Sequence, residues 1–157
     1  MLPVALEAKN LTLIRNGEVF LEEISFTAKP GITVLVGPTL SGKTTLMRAL
    51  AGLIKPDSGS ITINNVDVGP ISVKDRSVSF VYQQFINYPS LTVFDNIASP
   101  LRVVKPKISK EQITERVHEV AKMLRITELL DRKPSALSGG QQQRVAIARS
   151  LSRSSDL

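Results

Sequence analysis

The stretch from Thr33 to Leu50, TVLVGPTLSGKTTLMRAL, decides how the rest of this 157-residue chain is read. Its opening, Thr33-Val34-Leu35-Val36, is a short β-prone apolar run of the kind that suits a strand buried on both faces of a parallel sheet. Gly37-Pro38-Thr39-Leu40-Ser41-Gly42-Lys43-Thr44 then fits the spacing GxxxxGK[ST]. Leu46, Leu50 and Leu53 recur at helical spacing beyond it, so the order is strand, loop, helix. In that setting the glycines let the backbone wrap around phosphate with several N–H groups pointing inward, and the helix N-terminus adds a partial positive charge. Lys43 would reach the β- and γ-phosphates of a nucleotide and the Thr44 hydroxyl would bind Mg²⁺. Gly37, Pro38, Thr39, Leu40, Ser41, Gly42, Lys43, Thr44 and Thr45 are therefore the expected nucleotide-binding residues. The plainer alternative, a turn holding two glycines and a lysine, does not account for the strand before it and the helix after it.

Outward from the loop, the first thirty residues read as short strands at Leu6–Ile14, Val19–Leu21 and Ile24–Ala28, with Asn16-Gly17 as a turn. After the breaker cluster Lys55 to Gly59, Ser60–Ile63 alternates as a strand ended by Asn64-Asn65, and Val78–Tyr82 is the next strand. Ser109-Lys110-Glu111-Gln112 has the capping-box pattern, and Ile113, Val117, Val120, Ala121 and Leu124 then share one helical face. Ser138-Gly139-Gly140-Gln141 repeats the pattern ahead of a stripe at Val145, Ala148 and Leu151.

Composition bounds the function. The net charge is +6, but lysines and arginines are scattered along the chain without a basic run or an aromatic-interleaved motif, which argues against nucleic acid as a partner. There is no cysteine, so disulfides and thiolate metal sites are excluded, and the single His118 reads as a solvated helical residue. No apolar run approaches the length of a bilayer-spanning helix, so we expect a cytosolic chain whose membrane contact comes through partners.

Leu137-Ser138-Gly139-Gly140-Gln141 is a second glycine-flanked, capped helix start, and two such anion-seeking starts in one chain point to one ligand class. A Walker A loop followed by LSGGQQQRVAIARSL resembles the ATP-binding-cassette (ABC) family, whose signature is LSGGQ. The resemblance runs over essentially the whole chain. It implies an α/β fold, a P-loop NTPase core with an N-terminal antiparallel β subdomain and an α-helical signature subdomain. The expected bounds are residues 1–82 for the β subdomain and phosphate-loop core, 83–90 for the Q-loop, 91–140 for the helical subdomain and 141–157 for the signature helix. It also implies that ATP and Mg²⁺ are the cofactors and that two ATPase subunits pair head to tail. Ser138, Gly139, Gly140 and Gln141 would then act in trans on the γ-phosphate held by the partner. Val81-Tyr82-Gln83 resembles the Q-loop, carrying Gln83 to the metal and the attacking water. Lys43 and Gln83 are thus the expected catalytic residues, with Thr44 and Gln83 on the metal. Phe20 is the nearest candidate for adenine stacking.

Five of the seven Phe and Tyr residues lie between Phe80 and Phe94. On a strand, one of Phe80 and Tyr82 is expected in the core. Phe85–Pro89, a loop mixing aromatics with Asn87 and Pro89, reads instead as a groove for an integral membrane permease subunit. YQQFINYPSLTVFDNIASPL and the GPTLSGKT form of the loop resemble importers of sugars and polyols, most of all glycerol or glycerol phosphate. A solute-binding protein would then act indirectly, with the subunit peripheral at the cytoplasmic face of the membrane. The family's Walker B aspartate, the glutamate beside it, the D-loop and the switch histidine would all follow Leu157. The resemblance therefore leads us to expect an incomplete sequence that binds ATP without turning it over, with an unpaired edge beside Val34–Val36. The alternatives are a non-hydrolysing nucleotide-binding fragment and a soluble, non-transport ABC protein.

Overall fold

The computed structural model describes residues 5–84 and 86–153, apart from the side chain of Lys74. They fall into two compact units, one running to Val78 and the other from Ser79 onward.

The first unit is built on β1 (Leu6–Arg15) and β2 (Glu18–Ala28), paired antiparallel from Leu6↔Ala28 to Arg15↔Glu18. Asn16 (φ 52°) and Gly17 (φ 80°) both take left-handed backbone, as a two-residue turn matched to the strand twist requires. On the other side of β1 lies β3 (Ser58–Ile63), also antiparallel, with Leu6 opposite Ile63. Asn64 and Asn65, with φ 51° and 64°, do more than end β3: they turn the chain into the two-residue β4 (Val66–Asp67). The sheet order is β2-β1-β3-β4.

Along β1 the buried side chains are Leu6, Ala8, Leu11 and Leu13. Strict alternation would bury residue 10, but the ladder is irregular between Ala8 and Leu11, and the extra residue returns Leu11 to the core face. Leu21, Ile61 and Ile63 complete that face, and α1 (Lys43–Leu50) packs Leu46 and Ala49 against it. Burial of each such leucine or isoleucine is worth about 2 kcal/mol. The phosphate loop is carried at the start of α1, which that packing seats on the sheet.

Two expected strands are not formed. Thr33–Val36 joins no ladder, and Val34 and Val36 are 74% and 87% exposed. Val78–Tyr82 also lacks a ladder; Tyr82 is 43% exposed, and the Phe80 and Tyr82 rings meet edge to face at 4.9 Å, so neither is core. An apolar run records a demand for burial. A parallel strand forms only where a neighbour pairs with it, and no ladder joins either segment to another described one.

The second unit holds α2 (Val93–Ala98), α3 (Lys110–Met123) and α4 (Gly139–Ser152). Both expected capping boxes are present, Ser109 with Gln112 and Ser138 with Gln141. Val117, Val120 and Ala121 of α3 pack with Val93, Ile97, Ile126, Val145 and Ala148, while Ile113 and Leu124 are partly buried against them. The α4 stripe ends differently from expectation: Leu151 is 43% exposed and Ser152 takes the buried place. Ser152 follows Val145 by seven residues, close to two full turns, whereas Leu151 is rotated away. The Ser152 hydroxyl donates to the Ile97 carbonyl at 2.9 Å, which satisfies it there. Arg116 of α3 donates to the carbonyls of Leu151 and Ser152 and so closes the C-terminal end of α4. His118 is exposed, with an edge contact to Phe94.

Candidate functional site

In the first unit the loop Gly37–Gly42 makes its tightest turn where Ser41 donates its backbone N–H to the Pro38 carbonyl at 3.3 Å. Leu40 (φ 67°) and Gly42 (φ 82°) both adopt left-handed backbone. At Gly42 the requirement for glycine is double, because a Cβ would lie 2.9 Å from the Phe20 carbonyl oxygen. That close approach brings the loop against β2. Gly42 caps α1 without a side-chain acceptor, and the first turn holds no acidic residue. The opening N–H groups of α1 and its dipole are therefore not neutralised from within the helix.

The Lys43 ammonium donates to the carbonyls of Gly37 (2.9 Å) and Pro38 (2.5 Å) and to the Ser41 hydroxyl (3.2 Å). A cleft of about 410 Å³ opens here, lined by Glu18, Val19 and Phe20 of β2 and by Thr39 through Thr45. Phe20 is 46% exposed, so the chain brings an apolar ring and the Thr39–Thr45 part of the phosphate loop to one cavity. The donor set suits an anion: an ammonium, helix-terminal amides and hydroxyls. It suits Mg²⁺ as a shared ion, with Thr44 offering one hard oxygen, since Mg²⁺ keeps waters and takes its remaining ligands from phosphate. Among the described residues no group of three His, Cys, Asp or Glu could hold a metal alone.

In the second unit Gln83 sits in an exposed bend, and Phe85 lies outside the described residues. The rest of the expected docking loop is tied down from two sides. Asn87 donates to the Gln142 carbonyl on α4 at 2.9 Å, Arg149 of α4 donates to the Ile86 carbonyl, and its guanidinium stacks over the Tyr88 ring at 4.9 Å. Asn96, fully buried on α2, accepts from the Tyr88 N–H and donates to the carbonyls of Tyr88, Leu91 and Thr92. The Asn87 Oδ1 and Arg149 Nη1 atoms are buried there with no hydrogen-bond partner. Beside them Asp95 is held below the usual carboxylate range by the Arg102 guanidinium and then by the Thr92 hydroxyl, against the opposing effect of partial burial. Of the three residues that carry this arrangement, Asn87 belongs to the docking loop expected from the sequence, whereas Asn96 and Arg149 were not singled out there. The one available signal was an Asn followed by the apolar Ile97 and Ala98 in VFDNIA.

At the start of α4, Ser138 Oγ accepts from the Gln141 N–H and Gln141 Oε1 accepts from the Ser138 N–H. The box uses both side chains and leaves the amides of Gly139 and Gly140 as the unpaired donors of the first turn. Both glycines are exposed, and a Cβ at Gly140 would meet nothing within 4 Å.

The family described as ABC transporter matches residues 21–157. The sulfate/thiosulfate import ATP-binding protein CysA of Pseudomonas syringae pv. tomato is 43% identical over 152 residues, covering 94% of this chain and 46% of that protein. The trehalose/maltose import ATP-binding protein MalK of Thermococcus litoralis is 44% identical over 145 residues, covering 87% of this chain and 38% of that one. Among solved structures, the dimeric post-hydrolysis state of the ATP-binding cassette MJ0796 bound to ADP and Pi matches with a TM-score of 0.77 at 31% identity, covering 94% of this chain and 69% of that one. The chain thus spans less than half the length of these two curated relatives.

Proposed function

The chain belongs to the ABC transporter family, and on that premise we propose that it is the nucleotide-binding part of an importer's ATPase subunit. It would couple binding and hydrolysis of Mg·ATP to solute movement through membrane permease partners. The observation that carries this reading is the shared cleft, in which Thr39–Thr45 of the phosphate loop and Phe20 line one cavity. Phosphates would lie against the α1 amides with Lys43 on the β- and γ-oxygens, and the base would lie toward Phe20. Mg²⁺, when bound, would neutralise charge on the transferring phosphoryl group; Thr44 would be a protein ligand, and Gln83 the further one that the family resemblance implies.

Ser138, Gly139, Gly140 and Gln141 would face the γ-phosphate of a second copy in a head-to-tail dimer, as suits an exposed helix start with two unpaired amides. The similar cassette structures described as dimeric support the pairing of two copies. The Phe85–Pro89 loop, of which Phe85 lies outside the described residues, would receive the permease. By likeness to the import ATP-binding relatives the subunit would be peripheral at the cytoplasmic face; no described helix is long and apolar enough to cross a membrane. The glycerol or polyol cargo rests only on the likeness of GPTLSGKT and YQQFINYPSLTVFDNIASPL to such importers; the named relatives import sulfate, thiosulfate, trehalose and maltose.

The test is a titration of the full-length subunit with Mg·ATP. Lys43→Ala should weaken binding by about 2 to 4 kcal/mol, the scale of a lost charge-assisted contact in a partly desolvated site. Wild-type affinity in that variant would contradict the assignment.

A further inference from the structure

We propose that Arg76 is a positioning residue for the phosphate loop, a clamp on the far end of the helix that carries it. The proposal rests on the reading of Gly37–Thr45 as the phosphate site. Arg76 is 8% exposed, one of three buried polar or charged residues among those described. A guanidinium cannot shed its charge, so its burial must be offset by acceptors. It has three: Nε donates to the Ile71 carbonyl at 3.0 Å, Nη1 to the Leu50 carbonyl at 3.3 Å and Nη2 to the Gly69 carbonyl at 3.4 Å. Asp67 favours the charge from nearby and holds the same loop by accepting from the Gly69 N–H at 2.8 Å.

Leu50 is the last residue of α1, where carbonyls lack helical partners and a cation complements the dipole. The helix is only eight residues long, and its other end is Gly42, with no side-chain cap. Its core contacts are the buried Leu46 and Ala49 and the partly buried Leu50, all apolar, so a directional contact at its C-terminal end adds a constraint they lack. The Arg76 fork joins the C-terminal end of α1 to the Gly69–Ile71 loop and supplies that constraint. The sequence makes room for it at Gly52, which adopts φ 77° and whose Cβ would lie 2.5 Å from Arg76 Cζ and Nη1. A side chain at position 52 would displace the guanidinium even with Arg76 intact. Small displacements at the loop matter, because phosphate recognition depends on several amides converging at once.

The experiment measures Mg·ATP affinity of the full-length subunit by calorimetric titration, at a temperature where circular dichroism shows every variant folded. Arg76→Gln and Arg76→Lys, the latter keeping the charge without the fork, should each weaken binding by about tenfold or more. Gly52→Ala should do the same, and should add less when made in the Arg76→Gln background, where the guanidinium it displaces is gone. A purely structural role would lower the melting temperature and leave the affinity of the folded protein unchanged. Wild-type affinity in Arg76→Gln and Gly52→Ala, alongside lost affinity in Lys43→Ala, would overturn the clamp. Wild-type affinity in Lys43→Ala would remove the phosphate site itself, and the clamp with it.

Discussion

Asn96 shows how one side chain sets the shape of a functional loop. Its amide satisfies the Tyr88 N–H and three carbonyls from inside the core. Asn96→Ala would strand those groups, so we predict a loss of about 2 to 4 kcal/mol in urea denaturation of the full-length subunit. An unchanged midpoint would mean that the loop does not depend on this residue. Its neighbour Asp95 makes stability respond to pH. Its folded pKa lies below the ordinary value because of Arg102 and Thr92, so the unfolded chain binds more protons across that interval. The contribution is therefore fully present above about pH 4 and is lost as pH falls through the lowered folded value. Asp95→Asn should flatten the acid limb of a stability–pH profile, and an unaltered limb would show that the Arg102 contact carries no weight. Arg76 and Asn96 escaped the sequence reading for one reason: hydrophobic patterns report apolar burial and say nothing of a polar group buried among carbonyls.

At the scale of elements, what was legible is what is decided locally. Asn16-Gly17 turns a hairpin because both positions take left-handed backbone, and Ser109 and Ser138 start helices because each finds its Gln three residues on. Thr92 with Asp95 caps α2 by related chemistry, Thr92 Oγ1 accepting the Asp95 N–H at 3.1 Å. That pattern could have revealed α2, whose six residues are too few to show a helical period. What was not legible depends on neighbours distant in the chain. The apolar character of Thr33–Val36 was plain, whereas its lack of a ladder is a fact about what lies beside it. The docking loop likewise read as an open aromatic surface, yet α4 holds it through Arg149 and Gln142. A partner that moved the loop would therefore pull on the signature helix.

At the scale of the whole molecule, the candidate site was legible where it is a contiguous motif: the phosphate loop and LSGGQ are both helix starts with unneutralised amides. That the two halves work together across two copies is the central claim. Gly140→Asp tests it without disturbing the fold, since the position is open to a Cβ and an acid in the first turn favours a helix, while its charge would repel a γ-phosphate. The most direct measurement is ATP hydrolysis by full-length Lys43→Ala and full-length Gly140→Asp, each alone and then mixed in equal amounts. Each variant alone should be inactive, because every composite site carries one lesion. In the mixed dimer one site carries both lesions and the other carries neither, so random pairing should restore activity to about a quarter of wild type. If the signature instead served the nucleotide of its own chain, every site would keep a lesion, and a mixture as inactive as its components would contradict the account.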